Sequence, residues 1–187
     1  MHKMIEELEN CPIIAAIKDE KGLEACLESE SSVIFILYGD ICTIGDVVKK
    51  IKAHGKMAVV HMDLIQGLSG KEVAVDFLKE NTQADGIITT RPALIRRAKE
   101  KGLFTVLRFF VIDSMAFENI EKQTGAVSPD VIEILPGLMP KIIRKIQKSI
   151  YRPLIAGGLI SEKEEIMAAL SAGALAISTT NEAVWFM

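Results

Sequence analysis

The sequence predicts a (βα)8 barrel of the TIM type with short loops. Three observations predict it: eight short β-rich runs, apolar residues at helical spacing between them, and glycines where helices give way to strands. The runs are Ile13 to Ile17, Val33 to Leu37, Met57 to His61, Gly86 to Thr89, Phe104 to Phe110, Val131 to Ile134, Pro153 to Ala156 and Ala174 to Ser178. Several are apolar at nearly every position, as in a parallel sheet with helices on one face and a core on the other. The intervals carry sets such as Ile44, Val47, Val48, Ile51 and Val73, Val75, Phe77, Leu78. Strict alternation implies parallel strands, and eight units favour closure. His54-Gly55, Lys101-Gly102, Thr124-Gly125 and Ala172-Gly173 read as helix stops.

The first ten residues set Glu6, Glu7 and Glu9 around Met4, Ile5 and Leu8. They read as a short amphipathic helix over 1–10, without the apolar run of a signal peptide. With 187 residues, 49% of them hydrophobic, the chain suffices for one core, so a single domain over 1–187 is expected. The usual size of this fold is ~250 residues, so large lids are not expected. The longest connections on the C-terminal side of the strands are Met62 to Gly70 and the region from Asp113 to Asp130. No apolar run approaches the roughly 20 residues that cross a bilayer, which predicts no membrane partner and a cytoplasmic location. Cys11, Cys26 and Cys42 show no C-x-x-C spacing, and no metal-ligand or hydrolase motif occurs; neither a metal nor a cofactor is expected. The net charge of −3 gives no general attraction to nucleic acid, so any such contact needs a local patch. A homo-oligomer is left open.

In this architecture ligands sit at the C-terminal strand ends, with phosphate held after strands seven and eight. Gly157 and Gly158 follow the seventh strand, where the lack of a Cβ lets backbone N–H groups approach an anion. Ser178, Thr179 and Thr180 follow the eighth and open the last helix, offering hydroxyls, free amides and the positive end of a helix dipole. The alternative is a simple chain turn and a helix cap. Lys18, His61, Asp63, Thr89, Thr90, Arg91, Arg108 and Glu133 stand at the ends of otherwise apolar strands and should ring one mouth. Lys18 ends the strand beside the eighth, so its ammonium can reach a phosphate, or else it answers Asp19 or Glu20 at the surface. Asp63 can accept ligand hydroxyls or cap its loop, with His61 read on the opposite parity. Arg108 and Glu133 lie on neighbouring strands and can pair, for ligand or for structure.

After the sixth strand, Lys141, Arg144, Lys145 and Lys148 fall at i, i+3, i+4 and i+7, with Tyr151 and Arg152 beyond. This stripe contains no acid and suits RNA, or is a solvated helix face. The interval after the fourth strand adds Arg96, Arg97, Lys99 and Lys101.

Over nearly its whole length the chain resembles the glycerol uptake operon antiterminator regulatory family. The resemblance rests on His61-Met62-Asp63-Leu64 with Gly67-Leu68, Gly86-Ile87-Ile88-Thr89-Thr90-Arg91, Ile132-Glu133-Ile134-Leu135-Pro136-Gly137, Ala156-Gly157-Gly158-Leu159-Ile160 and Ser178-Thr179-Thr180-Asn181. It implies a TIM-barrel regulator without catalytic residues. Such a regulator binds glycerol 3-phosphate as effector and acts on a messenger RNA leader so that transcription passes a terminator. Lys18 stands where many members carry arginine, which keeps the charge and loses the bidentate fork. The competing expectations are an isomerase or aldolase-like lyase acting on a phosphorylated three-carbon sugar, with Glu133 or Asp63 as base and Lys18 as stabiliser, and a metabolite-binding module whose basic helix meets another protein.

Overall fold

A computed structural model describes residues 3–187. Its eight strands are β1 (Ile13–Ile17), β2 (Val33–Ile36), β3 (Met57–His61), β4 (Gly86–Thr89), β5 (Phe104–Phe110), β6 (Val131–Leu135), β7 (Leu154–Gly157) and β8 (Ala176–Thr179). Each pairs in parallel with the next, and β8 returns to β1 through Ile14↔Ser178, closing the barrel. Helix α1 (Lys3–Asn10) precedes it. The intervals hold α2 (Glu20–Glu28), α3 (Ile44–Ala53), α4 (Val73–Asn81), α5 (Pro92–Glu100), α6 (Ser114–Val127), α7 (Pro140–Ser149) and α8 (Lys163–Ser171). A 3₁₀ helix, Glu182–Phe186, comes last. None of the described helices is long and apolar enough to cross a membrane.

Successive side chains on a strand point to opposite faces, and the two faces have different neighbours. One parity, including Ile14, Phe35, Val59, Val106, Val131 and Ile155, packs into a central cluster inside the barrel. The other parity meets the surrounding helices in two outer clusters, one containing Ile34, Val60 and Ile87, the other Leu107, Ile132 and Ile177. Met4 and Leu8 of α1 belong to the interior cluster and are fully buried. The amphipathic helix therefore floors the barrel at the N-terminal end of its strands. Of the helix expected over 1–10, the first two residues lie outside the described residues.

Helix ends follow local chemistry. Asp19 accepts the Gly22 amide at 2.8 Å and Asp113 the Ala116 amide at 2.7 Å, while Glu162 and Glu165 form a capping box. Gly55, Gly102 and Gly173 take left-handed φ of 73°, 68° and 108° where α3, α5 and α8 stop.

Three expectations need correction. Gly125 lies inside α6, which continues to Val127 and turns off at Ser128 with φ 47°. Most of the region from Asp113 to Asp130 is this helix and not a loop. The last helix is a single 3₁₀ segment of five residues whose Ala183 amide is taken by the Asn181 side chain, so it brings no strong dipole to the mouth. It is held by burial of Val184 and Trp185 and by the Trp185 Nε1 hydrogen bond to the Thr179 carbonyl at 2.9 Å.

Because Leu8 fills the barrel floor, Leu8→Ala should lower stability by about 2–5 kcal/mol. Urea denaturation measures this; a midpoint within error of the parent would show that α1 merely rests on the barrel.

Candidate functional site

The polar residues at the mouth form a layered network that starts inside the barrel. Arg108 and Glu133 are paired in register across β5 and β6, and both face inward. The Arg108 Nε donates to Glu133 Oε2 at 2.6 Å, and Ser178 Oγ donates to Oε1 at 2.5 Å. Glu133 is completely buried, so its charge is kept by these donors and not by water. A Cβ at position 157 would sit 2.6 Å from both Glu133 Oε1 and Ser178 Oγ. Gly157 is thus a glycine to make room for this hydrogen bond. The expected Arg108–Glu133 pair is present, while Gly157 and Ser178 serve it from within. The terminal nitrogens of Arg108 donate to nothing within the described chain.

His61 points into the same chamber, almost fully buried, and its Nδ1 has no hydrogen-bond partner among the described residues. Burial, reinforced by the Arg108 charge and opposed by Asp63, pushes the imidazole down to about 4, so it is neutral at pH 7. The parity expected for His61 and Asp63 was wrong: residues two apart share a face, and His61 Nδ1 lies 4.0 Å from Asp63 Oδ2. Asp63 itself accepts from Thr89 Oγ1 at 3.1 Å, the Thr90 amide at 2.8 Å, Thr90 Oγ1 at 3.3 Å and Arg91 Nε at 3.0 Å. Its carboxylate ties down the loop between β4 and α5, and a ligand hydroxyl would join an already crowded shell.

Above this layer are the groups that remain free. Lys18 is exposed beyond β1 and makes no ion pair among the described residues. The acids expected to answer it are occupied: Asp19 caps α2, and Glu20 accepts from Tyr38 and pairs with Lys50. Beyond β7, Gly158 and Leu159 take successive left-handed φ of 77° and 63°. The Gly157↔Ser178 register places this turn beside Thr179 and Thr180. The amides of Leu159 and Thr180 donate to nothing within the described chain. Thr179, in contrast, faces outward; its hydroxyl donates to the Ile160 carbonyl at 2.7 Å and accepts the Asn181 amide at 3.1 Å. Of the three hydroxyls expected in the cradle, Thr180 alone stays uncommitted. Leu159 is the addition that sequence reasoning did not select; His61 was placed at the mouth, but not with a buried nitrogen left unpartnered. The glycine pair hinted at the first, and strand parity could have exposed the second.

The basic stripe is also in place. Lys141, Arg144, Lys145 and Lys148 are exposed on α7, with Arg152 half-buried beyond its end. Among the described residues none of the five forms an ion pair, and Lys145 Nζ stands 4.3 Å from the centre of the Phe117 ring. The cations of α5 differ: Arg97 pairs with Asp76 and Glu100, Lys101 with Asp76, and Lys99 donates to the Ser128 carbonyl. Arg96, exposed on α5, is likewise in no ion pair among the described residues, whereas α7 carries four such cations along one helix face.

Residues 13–185 match the sequence model of the family described as glycerol-3-phosphate responsive antiterminator. The uncharacterised protein YgcP of Escherichia coli K12 is 47% identical over 182 residues, 97% of this chain and 95% of that protein. The crystal structure of a glycerol uptake operon antiterminator regulatory protein from Listeria monocytogenes superposes with a TM-score of 0.91 at 35% identity, covering 94% of this chain and 95% of that one. A glycerol uptake operon antiterminator-related protein from Thermotoga maritima gives 0.83 at 39% identity, over 94% and 98% of the two chains.

The buried imidazole makes stability depend on pH in a defined window. Unfolded, His61 titrates near its ordinary 6.5, and folded near 4. Between these values only the unfolded chain takes up the proton, so stability falls as pH drops from 6.5 towards 4 and the loss ceases below that. The contribution is about 3 kcal/mol. Urea titrations from about pH 7.5 to about pH 4.5 should show the stability of the parent falling relative to His61→Gln by this amount. A difference that stays constant across the range would mean that the ring is not desolvated.

Proposed function

Because the chain belongs to the glycerol-3-phosphate responsive antiterminator family, a family of regulators, we propose that it senses glycerol 3-phosphate at the barrel mouth and in that state binds a messenger RNA leader. The observation that carries this reading is the set of unpaired donors above a closed polar floor. Lys18, the terminal nitrogens of Arg108, the Leu159 and Thr180 amides and the Thr180 hydroxyl stand at or beyond the C-terminal parts of β1, β5, β7 and β8, and all suit a phosphate. Gly158 shapes the turn that frees the Leu159 amide. Glu133, Gly157 and Ser178 position Arg108 from below, and Thr179 ties the loop after β7 to β8. His61 and Asp63 border the glycerol end.

The same arrangement disfavours catalysis by these carboxylates. Both oxygens of Glu133 are engaged in a dry interior, and those of Asp63 receive donors from three residues, so neither stands ready to remove a substrate proton. The unpaired cations of α7 give the RNA its phosphate contacts. The whole chain acts as one domain, and contact with a messenger RNA leader places its work in the cytoplasm.

Linkage makes the reading measurable. Glycerol 3-phosphate should tighten binding of a glycerol-operon leader RNA by about 5- to 150-fold, and the RNA should tighten glycerol 3-phosphate binding by the same factor. Equal RNA affinity with and without saturating effector would end the switch model. Gly158→Asp puts a negative charge beside the phosphate and should abolish effector binding in calorimetry while the melting temperature stays within a few degrees. Retained affinity would remove this turn from the site. Reversing charge at Lys141, Arg144 and Lys145 should weaken RNA binding and flatten its salt dependence by about 0.7 in log–log slope for each RNA phosphate left without a cation. An unchanged slope would move the RNA to another face.

A further inference from the structure

Beside the mouth the rim opens into a cleft that the phosphate site does not use. Helices α6 and α7 pack more closely against α5 and α8 than against each other. Between them is a cavity of about 510 Å³ lined by Val111, Ile112, Phe117, Met139, Ile142 and Lys145. A neighbouring hollow along α7 shares Ile142 and Lys145 and adds Lys141, Arg144 and Lys148. The first volume lies within the range of small-molecule sites. One wall is apolar and aromatic, and the outer edge is cationic. Across the cleft Glu118, exposed and outside any ion pair among the described residues, supplies an acceptor.

We propose that this cleft receives an unpaired base of the RNA, stacked on Phe117, while Lys141, Arg144 and Lys148 hold the flanking phosphates. Proteins read single-stranded RNA by pairing aromatic faces with cationic grooves, since every base has a π-face and every linkage a charge. Lys145 covers the Phe117 ring when the cleft is empty and is within reach of the backbone when a base takes its place. A second copy of this chain is a poor occupant, because an isologous contact would oppose the same four uncompensated cations. The acidic wall and basic edge instead match a ligand that carries both hydrogen-bond donors and phosphates.

The position of the cleft adds to the case. Val111 and Ile112 follow β5, the strand of Arg108, and Met139 follows β6, the strand of Glu133. The Gly137 amide in the β6–α7 loop donates to the Gly158 carbonyl at 3.2 Å. The turn proposed to hold phosphate thus touches the segment that leads into the cleft wall, giving effector and base a shared piece of backbone to bias.

This inference rests on the RNA reading, and its test separates the two. A fluorescent ribodecamer carrying all four bases and an abasic decamer with the same phosphates are titrated with the full chain in saturating glycerol 3-phosphate. Phe117→Ala and Ile112→Ser should each weaken binding of the complete decamer about tenfold and leave the abasic one unchanged. Ile112 is 82% exposed, so its substitution does not depend on repacking a core. Lys145→Glu should weaken both decamers. If the Phe117 and Ile112 variants bind the complete decamer like the parent while Lys145→Glu loses it, the base pocket is wrong and RNA binding stands. If the parent binds neither decamer, the RNA reading itself falls. Tighter binding of polyglutamate than of the complete decamer would reassign the cleft to an acidic protein partner and overturn the proposal.

Discussion

Arg108 and Glu133 face each other across β5 and β6 with the carboxylate wholly out of water, and neither charge is tolerable there without the other. Desolvation of a buried ion pair can exceed its Coulombic gain unless the remaining lone pairs are satisfied. Ser178 satisfies the second oxygen, and Gly157 provides the space in which it can do so. Residues on four strands are thereby fixed by one carboxylate. The interior below is apolar and the chamber above is polar, so the pair is the boundary between a core and a site. The same guanidinium helps keep His61 neutral, which leaves an imidazole with an unused nitrogen in a chamber that also holds the Glu133 and Asp63 carboxylates.

Much of the fold was legible because barrel strands and helices carry their signals locally. Strand positions come within about two residues of expectation since most runs are apolar on both faces over most of their length, as the parallel sheet demands. Parity alone places Arg108 and Glu133 together, and the glycine pair marks the turn after β7. What could not be read depends on partners distant in the chain. Gly157 looks like an anion-binding glycine until Glu133, on the preceding strand, and Ser178, on the following one, are seen to occupy the space a Cβ would need. Thr179 looks like a free hydroxyl until the Ile160 carbonyl is found beneath it. Thr124-Gly125 resembles a helix stop, yet α6 carries the glycine for another half turn and stops at Ser128, which has no special signature.

The rim is unevenly built. On one side, Asp40 and Gln66 form a parallel bridge that joins the loops after β2 and β3, and Asp63 knots the loop after β4 to its neighbour. These loops are fastened by many hydrogen bonds among themselves. On the other side, Phe110, Ile112, Leu138 and Leu159 are exposed on or near the loops after β5, β6 and β7. Ile41, Leu64 and Val73 are exposed on the first side as well, so what distinguishes the two halves is the fastening of their loops. The turn proposed to hold phosphate, the α6–α7 cleft and the basic face of α7 all lie on this second side, so the firm half of the rim is the scaffold for the half proposed to bind.

The floor made by Met4 and Leu8 has a consequence for timing. A vessel sealed at its base has one doorway, and a solute that enters from the top can leave only by the top. On the reading proposed above, an RNA bound beside that mouth holds the effector more tightly in its site. How long the effector stays is then governed by how long the transcript stays, and the protein would remember a passing rise in metabolite for the lifetime of the complex.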